Sequence, residues 1–472
     1  MRPPILFLAA LLAGCARPTV YPVGGRGPVV TVAEGEIRGA VDPSGVLVFR
    51  GIPYAAPPVG DLRWRPPQPA PRWSTVRPAD RLGKNCMQAQ PFADIDPYAA
   101  GVSEDCLYLN VWTPSLGDDD LLPVMVWIHG GGFFAGFGGE ERHDGRWLAK
   151  NGAVVVTLNY RLGALGFLAH PALAAESPQR ASGNYGLLDQ VAALRWVRRN
   201  IAQFGGDPRR VTIFGESAGG MSVGQLIASP LARGLFDRAI TESGVGLTTA
   251  RKDSAEAQGV RFATALGVGN GMTDLAAALR AVPAETLLAA STRLRYASRP
   301  VVDGWVLPTT LDSAIARGRA NLVPLITGSN RDEPMSWTGA QSRAIARMLE
   351  AKRTPVWVYQ FTRAPEDSAN RARGAYHSAE ITFVFGRPHP IRPEAGRAQY
   401  DSTLADAMAS YWVNFARSGD PNGRGLPRWP RYARATEAYL ELGPRIVAKT
   451  NLRRAELDSL DIVARRGGEI RP

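Results

Sequence analysis

Three cysteines and five histidines are all that 472 residues contain, and lysine supplies only five of the 55 basic side chains. Neither Cys86 nor Cys106 stands in a Cys-x-x-Cys pair and the histidines have no ligand-like spacing, so no metal centre is expected. The net charge is +12, yet the arginines are scattered singly or in pairs among 43 acidic residues. Without a clustered basic stripe, a nucleic-acid partner is not expected either. No apolar run approaches the roughly 20 residues that a membrane-spanning helix needs. At 45% hydrophobic and 21% charged, the chain is too apolar for a disordered polymer and has material for a large core.

What is present begins with a targeting pattern. Arg2 precedes nine consecutive apolar residues, Ile5 to Ala13, the layout of an export signal. Leu12-Ala13-Gly14-Cys15 then resembles the lipobox of bacterial lipoproteins, in which the cysteine is lipidated and becomes the mature N-terminus. This implies a leader over residues 1–14, and a lipidated Cys15 that opens a Pro- and Gly-rich tether over 15–28. Fully extended, the tether would reach about 40 Å. The protein would be exported, periplasmic or at the cell surface, and held at a bacterial membrane by its lipid. Cys86 and Cys106 are then an even pair in an exported chain, most simply a disulfide that closes a loop of about 20 residues.

From residue 29 to 472 the pattern is that of a single domain. Val124 to Ile128 and Ala153 to Leu158 are continuous apolar runs of strand length, as expected for parallel strands buried on both faces. Leu188, Val191, Leu194 and Ile201 recur at helical spacing within Leu187 to Phe204, which ends at Gly205-Gly206. Arg210 to Phe214 is a further strand, followed by a glycine turn and a helix from about Ala218. Asp237 to Thr241, Pro324 to Thr327 and Val356 to Phe361 predict strands, and Leu404 to Arg417 a helix. This alternation argues for an α/β fold with a mostly parallel sheet and helices on both faces. Val29 to Phe49 alternates in polarity and predicts an antiparallel hairpin on the sheet edge.

The chemistry centres on Gly215-Glu216-Ser217-Ala218-Gly219. A G-x-S-x-G pattern between a strand and a helix puts a serine hydroxyl on a strained turn, although alone it is a common chance match. A second element lies 88 residues upstream, where His129-Gly130-Gly131-Gly132-Phe133 follows a predicted strand. Its glycines can present backbone N–H groups to a developing oxyanion. A serine hydroxyl is a poor nucleophile at neutral pH, so it needs a base and the base an orienting carboxylate, which follow in the order acid then histidine. Only His377 and His389 lie beyond Ser217, and His389 sits between two prolines, a poor setting for a held base. The acid is expected after Pro324 to Thr327, where spacing does not choose between Asp332 and Glu333.

With these residues in hand, the chain resembles the type-B carboxylesterase and cholinesterase family of α/β-hydrolases. Phe204-Gly205-Gly206-Asp207-Pro208 leading to Val211 through Gly219 is similar to the family's serine signature. Glu104-Asp105-Cys106-Leu107-Tyr108-Leu109-Asn110-Val111 resembles its second signature. Phe49 to Ala55, Asn184 to Gln190 and Gly419-Asp420-Pro421-Asn422 also match family blocks, so the resemblance runs from about residue 29 to 440. It implies a serine carboxylesterase that acts on short- to medium-chain acyl or aryl esters, with Ser217 as nucleophile, Glu333 as acid and His377 as base. It further implies oxyanion donors at Gly131, Gly132 and Ala218, a Cys86–Cys106 disulfide, and supporting positions at Glu216 and Ser243. No cofactor is needed. An interfacial lipase-like hydrolase and a non-catalytic binding relative are the alternatives, and the triad does not discriminate esters from amides.

Three departures from the family stand out. Pro334 follows the acid where the family usually has glycine, and fixes φ next to the carboxylate. Only 44 positions separate Glu333 from His377, fewer than the family usually carries, which predicts a more open pocket. The segment between the two cysteines holds no Trp, so the cholinesterases' choline-binding residue has no counterpart. Phe133, Phe134 and Trp337 could line an acyl or alcohol site or belong to the core.

Overall fold

The computed structural model describes residues 27–90, 100–117, 120–269, 271–334, 337–364, 371–386 and 402–465. The leader, Cys15, nearly all of the tether and His389 lie outside the described residues. The apolar runs become strands of one eleven-stranded sheet. In chain order they are β1 (Ala40–Val41), β2 (Leu47–Pro53), β3 (Tyr108–Thr113), β4 (Leu122–Ile128), β5 (Val154–Leu158) and β6 (Gly206–Glu216). They continue with β7 (Arg238–Glu242), β8 (Leu325–Asn330), β9 (Val356–Phe361), β10 (Tyr439–Leu442) and β11 (Ile446–Lys449). Across the sheet the order is β11, β10, β9, β8, β7, β6, β4, β5, β3, β2, β1. The seven strands from β10 to β5 run parallel. Antiparallel pairs finish both edges.

Period-two geometry explains why the central runs are apolar throughout. Along β4, Val124, Val126 and Ile128 enter one core while Met125 and Trp127 enter the other. Along β9, Val356 and Val358 face the first core, and Trp357, Tyr359 and Phe361 the second. Helices α1 (Tyr185–Asn200), α2 (Ala218–Ala228) and α3 (Thr338–Ala351) cover the first face through side chains such as Leu187, Val223 and Ile345. Helix α4 (Ser402–Ser418) covers the second with Met408, Trp412 and Phe415. The helical run predicted to Phe204 is α-helical to Asn200 and closes as a 3-10 turn over Ile201–Phe204, with Gly205 at φ +76° as its left-handed cap.

The N-terminal expectation needs correction. Val29 to Phe49 forms two hairpins, not one. Val29–Val32 pairs with Gly35–Arg38, which joins Arg77–Pro78 in a separate three-stranded sheet. Only the second hairpin, β1 with β2, lies on the main sheet's edge. Strand β3 escaped the sequence reading because Asn110 interrupts its apolar pattern. Its amide is satisfied inside the sheet, donating to Thr157 Oγ1 at 3.0 Å and accepting from Gly51 N at 3.0 Å. Cys86 and Cys106 form a disulfide with Cα atoms 4.9 Å apart. Among the described residues, no helix is long and apolar enough to cross a membrane.

One consequence of the topology matters for chemistry. β6, β7 and β8 end at Glu216, Glu242 and Asn330, so three neighbouring parallel strands bring these residues to the same sheet edge. In open α/β sheets the carboxyl ends of the strands are where ligands bind.

Candidate active site

Ser217 follows the last residue of β6 and precedes the first of α2, with φ +55° and ψ −120°. A side-chain-bearing residue is strained there and needs support from its surroundings. Part of that support is a hydrogen bond in which Ser217 N donates to Glu242 O at 2.9 Å. The flanking glycines are a steric requirement, since a Cβ on Gly219 would lie 1.9 Å from Ile128 O, and one on Gly215 2.5 Å from the same oxygen. The turn can therefore press against the end of β4 only if both positions lack a side chain.

The glycine loop leaves that same strand end. Gly131, Gly132 and Phe133 all have positive φ, at +95°, +63° and +65°. The loop passes so close to the elbow that a Cβ on Gly130 would lie 3.3 Å from Ser217 Cβ. Among the described residues, none of the N–H groups of Gly131, Gly132 and Ala218 donates to a protein acceptor. His129 anchors the loop, with Nδ1 2.9 Å from Gly130 O and its ring stacked on Tyr160 at 4.4 Å. Tyr160 Oη donates to His129 O at 2.9 Å. Complete burial pushes the His129 pKa down to about 4, so its ring is neutral and braces the loop instead of exchanging protons.

Glu333 and His377 meet. Glu333 Oε2 lies 2.5 Å from His377 Nδ1, and Oε1 accepts from Asn330 N at 2.6 Å. Nε2 lies 3.2 Å from Glu216 Oε1, on the residue next to Ser217, and no hydrogen bond joins it to Ser217 Oγ. Asp332, the other acid that spacing allowed, points away. Its carboxylate accepts from Ala375 N at 2.6 Å and pairs with Arg331, whose guanidinium holds it below the usual carboxylate range. Pro334 leaves Glu333 aimed at His377. Its carbonyl accepts from Trp337 N and Thr338 N at 3.0 and 3.1 Å, so it helps to open α3.

The site is unusually rich in buried acid. Burial raises the Glu216 carboxyl, against the pull of the His377 charge, and pushes Glu242 up to about 8. Glu380 is raised well above the carboxylate range by burial and by the neighbouring Glu216, Glu333 and Glu242. Burial of the His377 imidazole opposes its protonation, but Glu216, Glu333 and Glu380 outweigh this and raise its pKa above the ordinary range. Ser243, also at positive φ, donates from Oγ to Glu380 Oε1 at 3.1 Å. Trp412 Nε1 donates to Glu242 Oε1 at 2.8 Å.

Asn330, Glu242, Glu380 and Trp412 join the site without a role that follows from the sequence. The available signals were a polar residue at the end of a predicted strand and a lone glutamate in an apolar block. The aromatics divide. Phe133 is core against Phe167 at 5.2 Å, Phe134 is 40% exposed beside Gly132, and Trp337 lies 5.6 Å from the His377 ring. Among the described residues, no group of three His, Cys, Asp or Glu side chains could hold a metal ion.

A serine elbow at the carboxyl end of a parallel strand, within a sheet of this order, defines the α/β-hydrolase class. Comparison with known proteins narrows this. The sequence pattern of the carboxylesterase family matches residues 26–340 and 335–460, and the chain belongs to that family. It is 38% identical over 458 residues to fumonisin B1 esterase of Sphingopyxis macrogoltabida, covering 83% of this chain and 82% of that one. Against para-nitrobenzyl esterase of Bacillus subtilis (strain 168) it is 37% identical over 483 residues, covering 90% and 96%. A solved structure of a PNB esterase superposes with a TM-score of 0.81 at 35% identity, covering 92% of this chain and 99% of that one. The protein is accordingly a carboxylic ester hydrolase.

Proposed function

We propose that this carboxylesterase uses Ser217 as nucleophile, His377 as general base and acid, and Glu333 to orient the imidazole and stabilise its charge. Ser217 Oγ attacks the ester carbonyl while His377 Nε2 takes its proton, and the N–H groups of Gly131, Gly132 and Ala218 meet the oxyanion. The proton passes to the leaving alcohol, an acyl-serine remains, and water activated by the same imidazole releases the acid. The Glu333–His377 contact at 2.5 Å, with the other ring nitrogen turned toward the elbow, carries this reading. Glu216 directly precedes Ser217, so Nε2 exchanges partners between adjacent residues, and such hydrogen bonds tighten when substrate binds.

Short- to medium-chain acyl or aryl esters are the substrates. One relative is named para-nitrobenzyl esterase, and Phe134 and Trp337 offer aromatic surface beside the oxyanion loop and the base. The leader pattern and Cys15 support export and a lipid anchor at a bacterial membrane, with residues 29–472 as one catalytic domain. Hydrolysis of a nitrophenyl ester series from acetate to palmitate, by the protein and by Ser217→Ala, tests the assignment. Activity on the shorter chains that disappears with the hydroxyl is expected. A preference for palmitate would favour the interfacial, lipase-like reading, and equal inactivity of both folded proteins would favour a binding role.

A further inference from the structure

One residue that joins several parts of the site is none of its reacting groups. Asn330 ends β8 and is fully buried. Its backbone N–H donates to Glu333 Oε1 at 2.6 Å, which leaves Oε2 for His377. Its Nδ2 donates to Tyr376 O at 2.7 Å, on the residue just before His377, and to Glu380 Oε2 at 2.5 Å. Glu380 accepts in turn from Ser243 Oγ, and Ser243 follows Glu242, whose carbonyl receives the Ser217 N–H. Unbroken contacts therefore run from the nucleophile's backbone through β7 and Glu380 to the acid and to the loop that carries the base.

We propose that Asn330 is a positioning residue for ester hydrolysis: its backbone N–H holds Glu333, and its side-chain amide ties the His377 loop to that strand end and, through Glu380, to the Ser217 elbow. The inference rests on the Ser217, His377 and Glu333 assignment above. The short interval between acid and base gives it force, because only 44 positions separate the acid turn from the base loop that Asn330 ties to it. Asp332 supplies two ties to Ala375, its carboxylate accepting from Ala375 N at 2.6 Å and its own N–H donating to Ala375 O at 3.1 Å, but its side chain is partly exposed and reaches no reacting group. Among the described residues, Asn330 bonds both the acid's own oxygen and the residue adjoining the base. The amide chemistry is also specific. Aspartate at this position keeps the shape but loses both Nδ2 donations and sets another carboxylate against Glu333 and Glu380. Alanine leaves Tyr376 O and Glu380 Oε2 without that donor.

The test is kcat and KM for nitrophenyl acetate across pH in the full chain, with Asn330→Asp, Asn330→Ala, Asn330→Ser and Ser217→Ala compared with wild type. A displacement of about 1 Å in a reacting group costs roughly 100-fold in rate. We therefore expect kcat to fall about 10- to 100-fold in the Asn330 variants while KM stays within about 2-fold. In Asn330→Asp the acid limb of kcat/KM should also move, because the new carboxylate joins Glu216, Glu333 and Glu380 around His377. A purely structural role would lower the melting temperature without moving that limb or kcat. Aspartate is isosteric and serine is small, so the result does not depend on the alanine variant folding. Folded Asn330 variants with wild-type kcat and pH profile, beside an inactive Ser217→Ala, would overturn the positioning role. An active Ser217→Ala would instead overturn the assignment on which it rests.

Discussion

At the residue scale, His377 faces the charges of Glu216, Glu333 and Glu380, and this fixes the direction of its titration. Only the neutral imidazole can take the serine proton, so a raised pKa means that activity falls as pH drops through that raised value. The acid limb of kcat/KM should therefore lie above the ordinary histidine value of about 6.5. Glu216→Gln removes one of the facing charges and should move the limb down by about 1 to 3 units. A pH–rate profile identical in the two proteins would show that Glu216 does not set it. Gly219→Ala, with its Cβ 1.9 Å from Ile128 O, should give little soluble, active protein; wild-type expression and activity would contradict the packing argument.

The residue scale is also where sequence reading was strongest and where it stopped. Motif and chain order singled out Ser217 and the glycine loop, but spacing left Asp332 and Glu333 equivalent because both follow the same strand. The difference is one of direction: Glu333 turns inward to His377, while Asp332 turns to Ala375 and Arg331. Glu380 stands in the block that begins at His377 but has no role of its own in the sequence, and Asn330 has none either, since their contacts arise only when β8 and the His377 loop meet.

Among elements, the parallel strands were legible because burial on both faces leaves an unbroken apolar run, as in Val124 to Ile128 and Val356 to Phe361. Strands β3, β10 and β11 were not identified. Asn110 breaks the pattern of the first by bonding across the sheet, and the hairpin of the other two lies at an edge with Val447 exposed. The single hairpin expected over Val29 to Phe49 divides in two, because alternation marks strands without saying which sheet each one joins. The disulfide belongs to this scale as well. It closes a segment with a sequence separation of 20, and the loop-entropy relation assigns it about 3 kcal/mol. Replacing both cysteines by serine should lower unfolding stability by roughly that amount in a denaturant titration while leaving kcat near wild type. An unchanged midpoint would show that the loop is held by its other contacts.

For the whole molecule, topology concentrates the chemistry. Seven parallel strands point the ends of β6, β7 and β8 to one edge, and the serine turn, the buried glutamates and Asn330 gather there. The N-terminal segment bears on where this catalyst works. If Cys15 carries the proposed lipid, Cys15→Ser should move the protein from the membrane fraction of an expressing bacterium to the soluble exported fraction, and an unchanged distribution would contradict the lipid anchor. If Ser217 forms the covalent intermediate, a fluorophosphonate will label it, and peptide mass spectrometry reads out the labelled residue. One stoichiometric adduct on the Ser217 peptide is expected, with loss of esterase activity in step with labelling and no adduct in Ser217→Ala. Labelling of a different residue, or full activity with Ser217 modified, would contradict it.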